Sequence, residues 1–162
     1  DARQKRKVMV FSYFEETTDW IVDYLKDVLE TDPELKVYRG RMAVASGNRK
    51  EWEGLSRDEV IKGFAPISME ALKGTEDRFD LMICTDVLAE GLNLQHFSEI
   101  YFTTPHWNPA VEKQAVARCH RIGQVKPVNV YKFVTVFNKK EDNDSISLDQ
   151  YCIEVQSVRN NT

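Results

Sequence analysis

The apolar positions of this chain change period several times. Val8-Met9-Val10-Phe11 is a short continuous apolar run between polar flanks, the pattern of a strand buried on both faces. Trp20, Ile21, Tyr24, Leu25, Val28 and Leu29 then form a double stripe at helical spacing that ends at Thr31-Asp32-Pro33. Val37-Tyr38 reads as a second short strand. Residues 40–78 carry no strong period, many charges and scattered glycines. Within them Val60, Ile61 and Phe64 predict a short helix, with Pro66 just past its end. The remainder of 40–78 is expected to be a polar surface insertion.

Leu81-Met82-Ile83-Cys84 predicts another buried strand, followed by a polar turn and the run Leu92-Asn93-Leu94; Ile100-Tyr101-Phe102 predicts a further one. Asn108-Pro109 opens a helix, with Asn as the N-cap and Pro at the first helical position. Residues 128–136 read as a final strand and 138–144 as a polar loop. Ser147 and Gln150 form a capping box before Leu148, Tyr151, Cys152, Val155 and Val158, which predicts a C-terminal amphipathic helix around 147–159. Apolar strands alternating with helices specify an α/β fold, a mainly parallel sheet covered on both faces. No repeat or linker divides the chain, so residues 1–162 are expected to form a single domain.

Composition narrows the class without naming a chemistry. The 162 residues are 42% hydrophobic and 30% charged, enough to bury a sizeable core. Seven glycines and five prolines exclude fibrous and low-complexity chains. No apolar run approaches the roughly 20 residues of a membrane span. Cys84, Cys119 and Cys152 are an odd set without CxxC spacing, so they read as reduced thiols in an intracellular protein, neither a disulfide frame nor a zinc site. The net charge of −4 disfavours a whole-surface nucleic-acid binder, yet it is uneven: residues 51–90 hold four bases and ten acids, and residues 113–132 hold five bases and no acid.

That acid-free stretch overlaps the Asn108 helix. Gln114, Arg118 and Arg121 are spaced i, i+4, i+7 and project from one face, while Val111, Ala115 and Cys119 form a neighbouring stripe expected to pack on the sheet. Paired guanidiniums suit phosphate, because the planar fork donates two hydrogen bonds and keeps its charge. Spacing alone leaves a solvated basic face as the alternative. Asp86 and Glu90 read as turn carboxylates, and His96 and His106 have no second ligand at metal spacing, so no metal site is assigned.

Trp107-Asn108-Pro109, Gln114-Ala115 and Arg118-Cys119-His120-Arg121-Ile122-Gly123-Gln124 together resemble motif VI of the SWI/SNF-type ATPases within superfamily-two helicases, whose family form is WNP…QAxxRxHRxGQ. The run from Cys84 through Gly91-Leu92-Asn93 to Gln95 is similar to motif V, Val8-Met9-Val10-Phe11-Ser12 resembles motif IV, and Arg57 and Phe64 match a weaker pattern between them. The resemblance covers roughly residues 8–135. Two departures stand out: Ala117 replaces the commoner Asp or Gly, and Ala89-Glu90-Gly91 replaces a glycine-richer turn.

This resemblance implies a RecA-like three-layer fold, the second lobe of a two-lobed DNA-dependent ATPase that binds ATP with Mg2+ between its lobes. It implies Arg118 and Arg121 as arginine fingers, Gln114, Gly91 and Glu90 beside the nucleotide, and Thr85, Asn93 and Ser12 towards DNA. Thr85 has a plain alternative as a cap on the turn after its strand. The implied partners are double-stranded DNA, nucleosomes or DNA-bound proteins, and the first RecA-like lobe of the same polypeptide, with no membrane. The implied location is nuclear in a eukaryote and cytoplasmic in a bacterium. No GxxxxGK[ST] loop and no acidic DExx box occurs in the sequence, so this chain is expected to be an excised domain that does not hydrolyse ATP alone. The alternatives are the second lobe of an RNA or single-strand helicase, or a non-catalytic RecA-like protein-binding module.

Overall fold

β1 (Lys7–Phe11) runs through the middle of a five-stranded sheet, which is why its residues are apolar on both faces: Met9 and Phe11 are buried, and Val8 and Val10 pack partly buried against the core. The structure is a computed structural model and describes residues 7–47, 49–64, 78–85, 97–105, 108–119, 129–136 and 147–160. The other strands of this sheet are β2 (Met42–Ala45), β5 (Leu81–Cys84), β6 (Phe97–Phe102) and β7 (Asn129–Lys132). Their spatial order is β2-β5-β1-β6-β7, and every pairing is parallel. The short strands β3 (Glu51–Trp52) and β4 (Leu55–Ser56) form a separate antiparallel hairpin.

Among the described residues four α-helices accompany the sheet: α1 (Glu15–Thr31), α2 (Arg57–Phe64), α3 (Pro109–Cys119) and α4 (Leu148–Asn160). Leu25 and Leu29 of α1 share a cavity with Val8, Val10, Tyr101 and Tyr131, whereas Val116 of α3 shares one with Val130. Alternate residues of a strand point to opposite faces, so α1 and α3 cover opposite sides of the sheet. Phe11, Phe64, Phe102, Met82 and Ile83 form the centre of the core; burying each contributes roughly 1.5–3 kcal/mol. Among the described residues no helix is long and apolar enough to cross a membrane.

The predicted caps are present. Asn108 Oδ1 accepts from the Ala110 amide at 3.1 Å, and the Ser147–Gln150 box closes in both directions, at 3.1 Å and 2.9 Å. Ser56 and Glu59 make a second capping box at the start of α2, with the Ser56 amide on Glu59 Oε2 at 2.8 Å.

Four expectations need correction. Val37-Tyr38 is not a strand; it ends a 3-10 helix, Pro33–Tyr38, because Asp32 Oδ1 accepts the Glu34 amide and Pro33 presets the first turn. Of the span 40–78, expected as a polar surface insertion, the described part is built into the fold. Met42–Ala45 is a fully buried sheet strand, and the hairpin turns at Glu53 and Gly54, both at positive φ, so that Trp52 docks its indole N–H on Met42 O at 3.2 Å. The final strand, expected over 128–136, ends at Lys132. The α1 double stripe is real but its aromatic half faces outward: Trp20 is 74% and Tyr24 69% exposed, while Val22 and Leu29 are buried. Positions 65–77, including Pro66, the run Leu92-Asn93-Leu94 and the loop 138–144 lie outside the described residues.

Candidate functional site

Parallel strands deliver all their carboxyl ends to one edge of the sheet. After β1 the chain crosses by α1 to β2 on one side, and after β6 it crosses by α3 to β7 on the other. The neighbouring ends of β1 and β6 therefore mark the switch point at which such sheets open a ligand crevice. Ser12, Thr85, Thr103 and the start of α3 all belong to this edge.

Hydroxyls tie the strand ends together. The Ser12 amide donates to Cys84 O at 2.9 Å, joining β1 to β5. Thr103 donates twice to Phe11 O, from its amide at 3.0 Å and its hydroxyl at 3.2 Å, joining β6 to β1. The Gly47 amide donates to Thr85 Oγ1 at 3.2 Å, and that hydroxyl points its own proton at Glu15 Oε1, 3.5 Å away on the first turn of α1. Arg49 returns the loop after β2 to α1 through an ion pair with Asp19. The described part of the edge is thus preorganised by bonds among its loops.

Ser12, expected at the DNA, is fully buried, and its hydroxyl donates to Phe14 O at 3.2 Å within its own turn. It shapes the loop that presents Phe14, which is 58% exposed. Thr85 is half-buried, and its hydroxyl serves the loop network just described. Gln114 is exposed on α3, and Arg118 follows one turn later on the same helix. Gly91, Glu90, Asn93 and Arg121 lie outside the described residues. The geometry therefore brings Ser12 and Thr85 to one sheet edge and sets Gln114 and Arg118 on the helix that leaves it.

Of the stripe Val111, Ala115 and Cys119 expected to pack on the sheet, Val111 is half-buried, and the side chains of Ala115 and Cys119 lie outside what the structure describes. Pro109 and Glu112 are buried and Val116 is half-buried, while Lys113, Gln114 and Ala117 face solvent. A glutamate can occupy the buried face because Lys132, at the end of β7, places Nζ 2.7 Å from Glu112 Oε2. Sequence reading missed Glu112, since its partner lies a loop and a strand away; its one local signal was an acid in the first turn of a helix. The same carboxylate acts on other buried groups. The Tyr13 phenol is pushed well above its ordinary range, chiefly by burial and then by the charge of Glu112 and Cys84. The Cys152 thiol is raised by burial, then by Asp149 and Glu112.

Among the described residues no group of three or more His, Cys, Asp or Glu side chains could hold a metal ion. At the edge the hydroxyls of Ser12, Thr85 and Thr103 each donate to a partner within the fold, and Lys113 and Gln114 stand exposed on the helix that leaves it.

The helicase conserved C-terminal domain model matches residues 1–123. The DNA repair protein RAD5 of Candida glabrata is 31% identical over 136 residues, which are 83% of this chain and 10% of that protein. Human chromodomain-helicase-DNA-binding protein 6 is 33% identical over 129 residues, 80% of this chain and 4% of that protein. The chain thus spans a tenth or less of the length of these relatives. A crystal structure of the C-terminal part of the Fun30 ATPase domain shares the fold, with a TM-score of 0.52 and 18% identity over 96% of this chain and 48% of that one. With the domain match over most of its length and relatives above 30% identity across four fifths of it, the chain belongs to the helicase conserved C-terminal domain family, as a second RecA-like lobe of the SWI/SNF type.

Proposed function

We propose that this chain is the second ATPase lobe of an ATP-driven translocase on double-stranded DNA, of the kind that remodels chromatin or displaces bound proteins. The observation that carries the reading is the course of α3: capped by Asn108 at the carboxyl edge of the sheet, it turns Gln114 to solvent with Arg118 one turn on. In this reading Arg118 and Arg121 reach the phosphates of ATP held against a first lobe of the same polypeptide. Gln114, Gly91 and Glu90 border the nucleotide. Magnesium, held by the first lobe, supplies charge neutralisation between the phosphates. The guanidiniums offset charge that develops on the transferring phosphoryl group, an effect worth on the order of 10³–10⁵ in rate where a finger is essential.

Thr85, Asn93 and the loop shaped by Ser12 contact the DNA backbone. Phosphate contacts of this kind carry little sequence information, so affinity falls steeply with salt. The names of the relatives, a DNA repair protein and a chromodomain-helicase-DNA-binding protein, favour DNA over RNA as the track. The lobe alone turns over no ATP in this reading, and it works wherever the cell keeps its chromosomal DNA, the nucleus in a eukaryote.

The test is Arg121→Ala in the two-lobed protein. Loss of DNA-stimulated ATP hydrolysis by about 10³-fold is the expected result. Undiminished hydrolysis overturns the arginine-finger assignment, and stimulation by RNA but not by duplex DNA overturns the choice of track.

A further inference from the structure

A cavity of about 380 Å³ lies where α3, β7 and α4 meet, lined in part by Glu112, Val116, Val130, Lys132 and Gln156. Glu112 is 3% exposed, yet it carries one of the few acids buried among the described residues. Side chains of β7 and α4 line the cavity beside it, and its charge also raises the phenol of Tyr13 in the loop after β1 and the thiol of Cys152 on α4. A buried carboxylate is costly unless a cation and hydrogen bonds compensate it, and such a group tolerates little displacement from its partner. Lys132 supplies that cation from an edge strand, with its side chain 41% exposed and its ammonium 2.7 Å from the carboxylate. Glu112 stands two residues before Gln114 and six before Arg118 on the same helix.

We propose that the Glu112–Lys132 ion pair is the positioning clamp of α3: it sets the rotation and axial register of that helix against β7, and so the direction in which Gln114 and Arg118 face the nucleotide. The proposal rests on reading α3 as the nucleotide-facing helix. Val116 of α3 packs partly buried against the main core, and Pro109 is buried at the start of the helix. An apolar side chain can slide or rotate against its neighbours at small cost; an ion pair in a buried site has one good geometry. Glu112 and Lys132 are positioning residues in this account, because neither touches the substrate.

The clamp is tested in the two-lobed protein with Lys132→Met, which removes this cation from the carboxylate, and with Glu112→Gln, which keeps the shape and removes the charge. Amide hydrogen exchange in residues 109–119 is expected to quicken about tenfold in both, with α1 unchanged. Affinity for ADP with aluminium fluoride, which mimics the transferring phosphoryl group, is expected to fall about tenfold while affinity for ADP alone holds, because a misdirected guanidinium loses the transition state first. A merely unfolded fraction changes binding stoichiometry and leaves both affinities alone. Lys132→Arg restores both readings. Unchanged exchange in α3 in both variants overturns the clamp. Faster exchange with undiminished affinity for the mimic overturns its link to the site, provided Arg118→Ala weakens that affinity. If Arg118→Ala leaves it intact, the nucleotide reading of α3 has failed, and exchange alone then decides whether the clamp exists.

Discussion

The amide of Gly47 donates to the hydroxyl of Thr85 at 3.2 Å, so the loops after β2 and β5 are tied at the carboxyl edge of the sheet. Thr85→Val keeps the volume and removes the acceptor together with the donor aimed at Glu15. A loss of about 1 kcal/mol in unfolding free energy is expected, the worth of one such bond, with Thr85→Ser near the original. In the two-lobed protein Thr85→Val should also weaken stimulation by DNA more than it weakens ATP binding. Equal urea midpoints for the Val and Ser proteins would show that the hydroxyl holds nothing together.

Gly63 is in α2, where an added Cβ would stand 2.9 Å from Phe79 Cδ2 and 3.3 Å from Arg78 Cβ. Phe79 cannot yield, since it is buried and its amide and that of Arg78 both donate to Gly63 O. Alanine gains about 1 kcal/mol of helix propensity, while overpacking costs roughly 1–3 kcal/mol. Gly63→Ala is therefore expected to destabilise by about 1 kcal/mol in denaturant titration. A variant as stable as the parent would mean that the contact relaxes freely.

Glu59 caps α2, and its carboxyl lies below the ordinary range because the Ser56 amide donates to it, helped by the Ser56 hydroxyl. A lowered folded pKa means that the folded state holds its proton less tightly than the unfolded chain. The capping contribution is present above the unfolded value and disappears as pH falls through the folded one. An NMR titration should find Glu59 among the last exposed glutamates to protonate, and Ser56→Gly, which removes the hydroxyl and keeps the amide donor, should bring it part of the way back to the ordinary range. A normal midpoint in both proteins would remove the box from the account of α2.

Tyr13 responds at the opposite end of the scale. Burial and the charges of Glu112 and Cys84 raise its phenol above the unfolded value of about 10. The folded state then keeps a proton that the unfolded chain releases, so the stability this contributes is complete below about pH 10 and is lost as pH rises through the folded pKa. Between about pH 10 and 11 the parent should lose urea resistance faster than Tyr13→Phe, which has no proton to lose at this position. Parallel curves for the two proteins would rule out a shifted phenol.

How much of this was legible beforehand depends on how far each cause lies along the chain. The strands at Lys7–Phe11 and Leu81–Cys84 announce themselves as apolar runs, and the caps at Asn108 and Ser147 as residue types at fixed offsets, because their partners are within four residues. Met42–Ala45 was hidden by its setting: four small apolar residues in a charged span look like an insertion until β5 pairs beside them. The helix stripes were legible in period and not in phase. Nothing local tells Trp20 and Tyr24 to face outward, or Glu112 to face inward. Of the candidate site, the motif residues were readable as a linear pattern, and Ser12 and Thr85 fall at the edge that the parallel sheet requires.

The sequence by itself determined the α/β alternation, the helix ends marked by Pro33, Asn108 and Ser147, and the residues that carry the family motifs, since these rest on local backbone preference and on spacing. Only the tertiary structure decided the strand order, the burial of Ser12, the tie between Gly47 and Thr85, and the pairing of Glu112 with Lys132. Each of these depends on which groups meet across the fold, because an ionic or polar side chain can be buried only where a distant segment brings its partner.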